Sequence, residues 1–187
     1  MVSVLRTIEE ENHVRLILLL SLICVGVHGY AIAQQSNFST GPVIQDFGPV
    51  APVSDVRLDA ETELKVAFDV AEPAKAGQIN RRLESAARFL NMHGDSGVPV
   101  EQMSVAIVVH GPAAMDLVTS ERYGSDNANS ELIAALIEAG VSIELCGQTA
   151  AFREISEADL LPGVKLSLSA MTSHALLQQS GYTLNPF

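Results

Sequence analysis

Short apolar runs divide the chain from residue 64 onward, and their length and composition are typical of β-strands. The run at 103–110 (MSVAIVVH) is almost continuously apolar, which is typical of a strand buried on both faces of a sheet. The other runs predict strands at 64–70, 141–146, 164–169 and 182–184.

Between these runs, apolar residues recur every three or four positions, which is the spacing of one helix face. The stripe is clearest at 78–91. The other predicted segments are helices at 113–120, 130–139 and 171–180, short helical turns at 148–154 and 156–161, and a polar loop at 121–129. Because strands and helices alternate, the pattern predicts an α/β fold in which right-handed crossovers place helices on both faces of a parallel sheet.

The first 33 residues have the pattern of an export signal. Leu16–Val27 (LILLLSLICVGV) is an apolar run of twelve residues, shorter than the roughly 20 that a membrane-spanning helix needs. Ala31 and Ala33 form an A-x-A cleavage pattern. We therefore predict a signal peptide over residues 1–33 and a periplasmic or secreted protein. The alternative is an uncleaved N-terminal membrane anchor.

Residues 34–62 show no sustained period and predict an extended arm, either poorly ordered or wrapped over a surface. The turn-forming residues of this arm are Gly41, Pro42, Gly48, Pro49 and Pro52. Its apolar residues, which would dock it on the domain or on a neighbouring subunit, are Phe38, Val43, Ile44 and Phe47. The folded domain is then predicted at 63–187.

Composition and charge narrow the function classes. Apolar residues make up 48% of the chain and charged residues 18%, which excludes an intrinsically disordered protein. The formal net charge of -11 argues against a nucleic-acid binder, because such proteins need a basic surface to displace counterions. Aromatic residues make up only 5%, without tryptophan, so a base-stacking platform is also unsupported.

In open α/β sheets, ligands bind beyond the carboxyl ends of the strands. The residues predicted at those ends are Asp69, His110, Cys146 and Ser169. Cys146 precedes a predicted helix start, where backbone N–H groups would stabilise a thiolate. The alternative is a buried cysteine that acts as a small apolar residue.

The other strand-end residues also have two interpretations. His110 would act as a base beside Cys146 if the second and third strands are neighbours, and otherwise it is a structural histidine. Asp69 would either orient a bound partner or cap the turn before Pro73, and the pattern favours the turn.

Other chemistries lack their motifs. After the leader, the histidines and the single cysteine have no metal-ligand spacing, so no metal site is predicted. The loop after the first strand is not a glycine-rich phosphate cradle, and no cofactor is predicted. Asp126, Asn127 and Asn129 lack the ligand pattern of a calcium loop, which favours capping of the helix at Ser130.

Several strings together resemble the DsrE/DsrF-like family of sulfur-metabolism proteins, and in particular its exported single-domain members. The strings are FDV, ARFLN, VVHGPA, ELIAALIEAGVSIELCGQ, DLLPGVKLSLSA and QQSGYTLNPF, which lie within residues 64–187. The resemblance implies a three-layer α/β/α domain, of the flavodoxin or Rossmann-like type, around a mainly parallel five-stranded sheet. It also implies homo-oligomers, often trimers or hexamers.

In the sulfur-relay members of this family, a cysteine carries persulfide sulfur between proteins. The cysteine of the CGQ string here is Cys146, and His110 lies in the VVHGPA string. These two are the predicted catalytic residues. The predicted substrate-binding residues are Asp69, Gly111, Gly147 and Gln148.

The leading hypothesis is therefore a sulfur-trafficking protein, at most a sulfurtransferase or sulfur carrier, with a protein that donates or accepts sulfur as its partner. The alternative is a non-catalytic homo-oligomeric binding module with a structural cysteine. A third hypothesis is a small-molecule binder at the carboxyl edge of the sheet. Apolar residues such as Leu176, Leu177 and Phe187 exceed what one small sheet can bury, so a homo-oligomer is expected in each case.

Overall fold

The computed structural model describes residues 37–185, and from Thr40 onward they form one compact unit. The predicted leader at 1–33 lies outside the described residues. Within 37–185, no helix is long and apolar enough to cross a membrane.

Five parallel strands form a single sheet in the order β4-β3-β2-β1-β5. The strands are β1 (Leu64–Val70), β2 (Met103–Val109), β3 (Ser142–Cys146), β4 (Lys165–Ser167) and β5 (Thr183–Asn185). This arrangement confirms the predicted α/β fold with its five-stranded parallel sheet. The two outermost strands, β4 and β5, have only three residues each.

Helices follow the strands, as the alternation predicts. They are α1 (Arg81–Asp95), α2 (Ser120–Tyr123), α3 (Ser130–Glu138), α4 (Gly147–Phe152) and α5 (Ala170–Gln179). Short 3-10 turns lie at Val100–Gln102, Gly111–Leu117 and Glu157–Asp159.

Two of the predicted segments differ from the structure. The helix expected at 113–120 is the 3-10 turn Gly111–Leu117, which starts earlier because Gly111 adopts a positive φ of 58° and Pro112 occupies the first turn. The polar loop expected at 121–129 overlaps α2, because the side chain of Thr119 caps the backbone N–H of Arg122.

The side chains of each strand alternate between two faces of the sheet. On one face Phe68 contacts Phe89 of α1, and Val66 and Val70 point the same way. Helices α1 and α3 contact each other and contribute fully buried residues such as Leu83 to this apolar core. The opposite face is packed against α5. The sheet is therefore the middle layer of three.

The arm at 34–62 contributes to the core through its central part. Ile44 is 3% exposed. The side chain of Asn91, on α1, forms hydrogen bonds with backbone groups of the arm, both as acceptor and as donor. The Asn91 side chain accepts from the N–H of Val43 and Ile44 and donates to the carbonyls of Ile44, Phe47 and Gly48. Gly48 is required there because a Cβ atom would lie 2.3 Å from the backbone nitrogen of Arg88. The central arm thus docks on its own domain.

Candidate functional site

The carboxyl ends of β1, β2, β3 and β4 meet around one cleft of about 320 Å³. The residues that line it are Asp69, His110, Cys146, Gln148, Thr149, Ser169, Ala170, Met171 and His174. Strands β2 and β3 are neighbours, as the proposed pairing of His110 with Cys146 requires. The structure therefore brings together all four residues that strand-end reasoning selected.

Strand alternation explains why polar groups collect on the α5 side of the sheet. Asp69 lies between Phe68 and Val70, which point to the opposite, apolar face. Cys146 likewise follows Leu145, which belongs to that apolar core. The two chemically active side chains thus share the face that α5 covers.

Backbone groups at the starts of α4 and α5 surround the thiol of Cys146. Although burial alone would raise its pKa, the N–H groups of Thr149, Ala170 and Gln148 and the hydroxyl of Thr149 bring the pKa of the Cys146 thiol below its ordinary value of 9.0. The residue is only 6% exposed, yet it lines the cleft. The sulfur therefore sits in a pre-formed cradle of hydrogen-bond donors that favours the thiolate.

Two glycines shape this cradle without lining the cleft. A Cβ atom at Gly147 would lie 2.4 Å from the carbonyl oxygen of Ser167, so only glycine lets α4 start this close to the end of β4. Gly111 donates its N–H to the Thr149 hydroxyl at 3.1 Å and accepts from Arg153 Nε at 3.1 Å. Of the predicted substrate-binding residues, Asp69 and Gln148 thus face the cleft, and the two glycines position its walls.

Asp69 holds two histidines at once. His174 Nε2 lies 2.7 Å from Oδ1 of Asp69, and His110 Nε2 lies 3.2 Å from Oδ1 and 3.3 Å from Oδ2. Burial tends to raise the pKa of the Asp69 carboxyl, but the hydrogen bonds from His174 and His110 and their charges lower it below its ordinary value. Asp69 is therefore an anion that orients two imidazoles, and it does not cap the turn before Pro73 as the sequence favoured.

His110 does not pair with the thiol. Its partner is Asp69, and no histidine is among the groups that lower the pKa of Cys146. His110 and Cys146 nevertheless line the same cleft, as expected from the neighbouring strands β2 and β3. The role of His110 as a base stays a prediction.

Sequence reasoning missed His174 and Thr149 as site residues. His174 lies on the last helix, five residues after Ser169, whose side chain caps that helix. The signal was available, because a helix that follows a strand directly starts at the same edge of the sheet as the strand's carboxyl end. No local sequence pattern marked Thr149, since its role depends on contacts with Gly111, at the start of the turn after β2, and with Cys146, at the end of β3.

A buried polar network replaces the predicted cap at Ser130. Asn129 makes no side-chain cap at that helix; instead its Oδ1 accepts from the N–H of Asn80 at 2.7 Å. Asn80 Nδ2 in turn donates to Asp116 Oδ2 at 2.6 Å. Burial raises the pKa of the Asp116 carboxyl, although Asn80 and the N–H of Ala74 act against this shift. Capping by the Asn129 side chain fails because a long-range partner competes with the local one, whereas Asn127 Oδ1 does accept from the N–H of Asn129 at 3.0 Å, just before the helix.

No group of three or more histidine, cysteine, aspartate or glutamate residues within 37–185 is arranged to hold a metal ion.

Comparisons with known proteins concern the domain that contains this cleft. The family model that matches residues 65–186 is the DsrE/DsrF-like family. No curated protein matches the chain at a significant level. A solved protein of unknown function, MTH1491 from Methanobacterium thermoautotrophicum, has 20% identity and a TM-score of 0.54, over 67% of this chain and 100% of its own. The ychN protein from E. coli has 18% identity and a TM-score of 0.48, over 66% and 100%.

Proposed function

The chain belongs to the DsrE/DsrF-like family, and we propose from this that it is a sulfur-relay protein that carries sulfane sulfur as a persulfide on Cys146. The observation that carries the proposal is the donor cradle around the sulfur at the strand-end cleft. A thiolate is the form of cysteine that attacks sulfur, and this cradle favours it.

The transfer step has a simple balance. The Cys146 thiolate attacks the outer sulfur of a donor persulfide R–S–SH and forms a new S–S bond. The S–S bond of the donor breaks, and its electron pair leaves on R–S⁻. The products are the Cys146 persulfide and a thiolate, and no external oxidant or reductant is consumed. Handing the sulfur to an acceptor thiolate is the same step in reverse.

His110 would supply the proton that the leaving thiolate needs. Its side chain is 34% exposed and lines the cleft, and Asp69 holds its Nε2 atom. A protonated His110 would give its proton to R–S⁻ as the donor bond breaks, and it would take one up again from solvent.

Peptide-level mass spectrometry tests the proposal. We expect the full chain, incubated with a small thiol persulfide such as that of cysteine, to gain one sulfur atom on the peptide that contains Cys146. The matched controls are Cys146→Ser, which should lose this gain, and Cys24→Ser, which changes the other cysteine of the full chain, in the predicted leader, and should keep it. Absence of added sulfur on Cys146 in the unaltered chain contradicts the proposal.

A second candidate function is a non-catalytic homo-oligomeric module in which Cys146 is structural. Two observations favour it: Cys146 is 6% exposed, and large apolar side chains lie open on the surface. These side chains include Phe152 at 86%, Leu168 at 71% and Met171 at 81% exposed. A homo-oligomer, the expected assembly in either function, would cover them.

Thiol reactivity separates the two functions. A carrier predicts that a neutral alkylating reagent modifies Cys146 in the native protein, whereas a structural cysteine predicts modification only in denaturant. Light scattering at micromolar concentration tests the assembly, and a monomeric mass counts against it.

We further propose that the protein is exported and that residues 1–33 are removed. The support is the apolar run and the A-x-A pattern of the sequence. N-terminal sequencing of protein from the periplasmic or secreted fraction should start at Gln34. A start upstream of Leu16 would favour the membrane anchor instead.

A further inference from the structure

The two histidines that share Asp69 differ in the surroundings of their second ring nitrogen. The side chain of His174 is 17% exposed, half the 34% of His110. Its Nδ1 atom is buried and has no hydrogen-bond partner among the described residues. The Nδ1 side of the His174 ring is therefore buried, whereas the ring of His110 is more exposed.

The buried Nδ1 atom determines which form of His174 fits this site. In the neutral form with the proton on Nε2, that nitrogen donates to Asp69 and Nδ1 carries only a lone pair. In the opposite tautomer, Nδ1 would carry an N–H without an acceptor, which is costly in a buried place, and Nε2 would no longer donate to Asp69. Val108, the fully buried register partner of Asp69 on β2, offers no acceptor on its side chain.

Charged groups on the other elements around α5 do not replace the missing acceptor. Glu144 on β3 is already bound, because its Oε2 accepts from the Ser173 hydroxyl at 2.6 Å. Cys146 on β3 accepts its hydrogen bonds from Thr149, Ala170 and Gln148.

The charged groups on the other strands also leave Nδ1 without an acceptor. Lys65 on β1 lies four residues before Asp69, toward the other edge of the sheet, and Lys165 on β4 is exposed. Asp69 itself contacts only the Nε2 side of the ring.

We infer that His174 is a positioning residue, whose Nε2–H fixes the Asp69 carboxylate so that His110 is held at the cleft as the imidazole that meets the substrate. The functional half of this inference rests on the proposed sulfur transfer. The structural half, which concerns the position of the proton on the His174 ring, does not. The donor at Nε2 holds one carboxylate oxygen, and the carboxylate then holds the ring of His110.

Nuclear magnetic resonance of the full chain labelled with ¹⁵N-histidine tests the structural half. We expect the ring signals at pH 7 to show that His174 carries its proton on Nε2 and donates it to Asp69. Variants at each of the two histidine positions assign the signals. A His174 ring that carries its proton on Nδ1 instead overturns the inference.

Two variants at position 174 test the functional half. His174→Gln keeps an N–H donor near the Nε2 position, and His174→Leu removes it. For persulfide loading of Cys146 at pH 7, we expect His174→Gln to stay within about twofold of the unaltered chain and His174→Leu to fall by about tenfold, because an unfixed acid loses much of its effect. The ring ¹⁵N signals of His110 at pH 7 should move in His174→Leu only.

The outcomes are distinguishable. Equal loading and equal His110 ring signals in the two variants overturn the positioning role of His174, provided that both variants keep the circular dichroism spectrum and melting behaviour of the unaltered chain. Should His174→Leu fail to fold, the tautomer in the unaltered chain and the rescue by His174→Gln decide the inference. A chain that never gains sulfur refutes the proposed function, and the tautomer measurement still decides the structural half.

Discussion

The two faces of the sheet differ in what they bury. The face under α1 and α3 is covered by two helices and a docked arm, and its strand residues are apolar, as Phe68, Ile107 and Leu145 illustrate. The face under α5 is covered by one helix, and it carries Asp69 and Cys146 among smaller apolar residues.

This difference separates stability from chemistry within one small domain. Close-packed apolar side chains stabilise the first face and leave little room for change. Polar groups that bind one another across the second face contribute less to stability, but they keep charges and a thiol at a cleft. Because successive residues alternate between faces, a single strand such as β1 can serve both purposes.

Truncation within the apolar face should have the largest effect on stability. Leu83 of α1 is fully buried, so Leu83→Ala should lower the free energy of unfolding by about 3–5 kcal/mol. On the other face, Met171→Ala changes a residue that is 81% exposed and should cost less than about 0.5 kcal/mol. Urea unfolding measures both, and equal losses would contradict the contrast between the faces.

Gly147→Ala should damage the cleft more than the core. Its Cβ atom would meet the Ser167 carbonyl at 2.4 Å, and such overpacking typically costs about 1–3 kcal/mol. The displaced α4 would weaken the N–H donors of Gln148 and Thr149, so the pKa of Cys146 should rise toward its ordinary value. The pH dependence of Cys146 alkylation measures this change. Ala151→Ser, an exposed change in the same helix, is the control and should leave the profile unaltered.

The pKa values of the Asp116 and Asp69 carboxyls shift in opposite directions, so Asp116→Asn and Asp69→Asn form a contrasting pair of variants. A raised pKa in the folded protein means that the unaltered chain loses stability as the pH rises from 3.8 through the folded value. Asparagine keeps an oxygen that can accept from Asn80 and Ala74 and carries no charge. The variant should therefore be at least as stable at pH 7 and should show a flatter pH dependence in thermal unfolding. Lower stability at pH 7 would refute this.

Asp69→Asn should have the smallest effect on stability and a clear effect on the histidines. The lowered pKa of Asp69 means that its contribution is present above pH 3.8 and is lost as the pH falls through the folded value. Since its side chain is 39% exposed, that contribution should stay below about 1 kcal/mol. The ring signals of His110, followed by nuclear magnetic resonance at pH 7, should nevertheless change, because its Nε2 atom loses a charged partner. Unchanged signals would show that Asp69 does not hold the imidazole.

Much of the fold could be predicted from the sequence because hydrophobic periods are local. The bounds of β1 were predicted to the residue, and β3 differs from its prediction by one position. The later start of α1, at Arg81, reflects the side chain of Asn80, which accepts from the backbone N–H of Arg82 and caps that helix. The docking of the arm on Asn91 could not be predicted from local sequence, because the five hydrogen bonds of the Asn91 side chain reach residues more than 40 positions away.

The site was partly predictable for a different reason. Asp69, His110, Cys146 and Ser169 could be selected because parallel strands end at a common edge. Their partners could not be assigned, because the sequence gives neither the order of the strands nor the position of α5. The pairing of Asp69 with His174 spans 105 positions and depends on both.

The two short outer strands also affect how copies of this domain can associate. An edge of three residues exposes few unpaired N–H and C=O groups, so β4 and β5 offer little template for strands of another chain. Joining sheets edge to edge into fibres is therefore disfavoured. In the proposed homo-oligomer, contacts between copies are therefore expected from side chains on helices and loops.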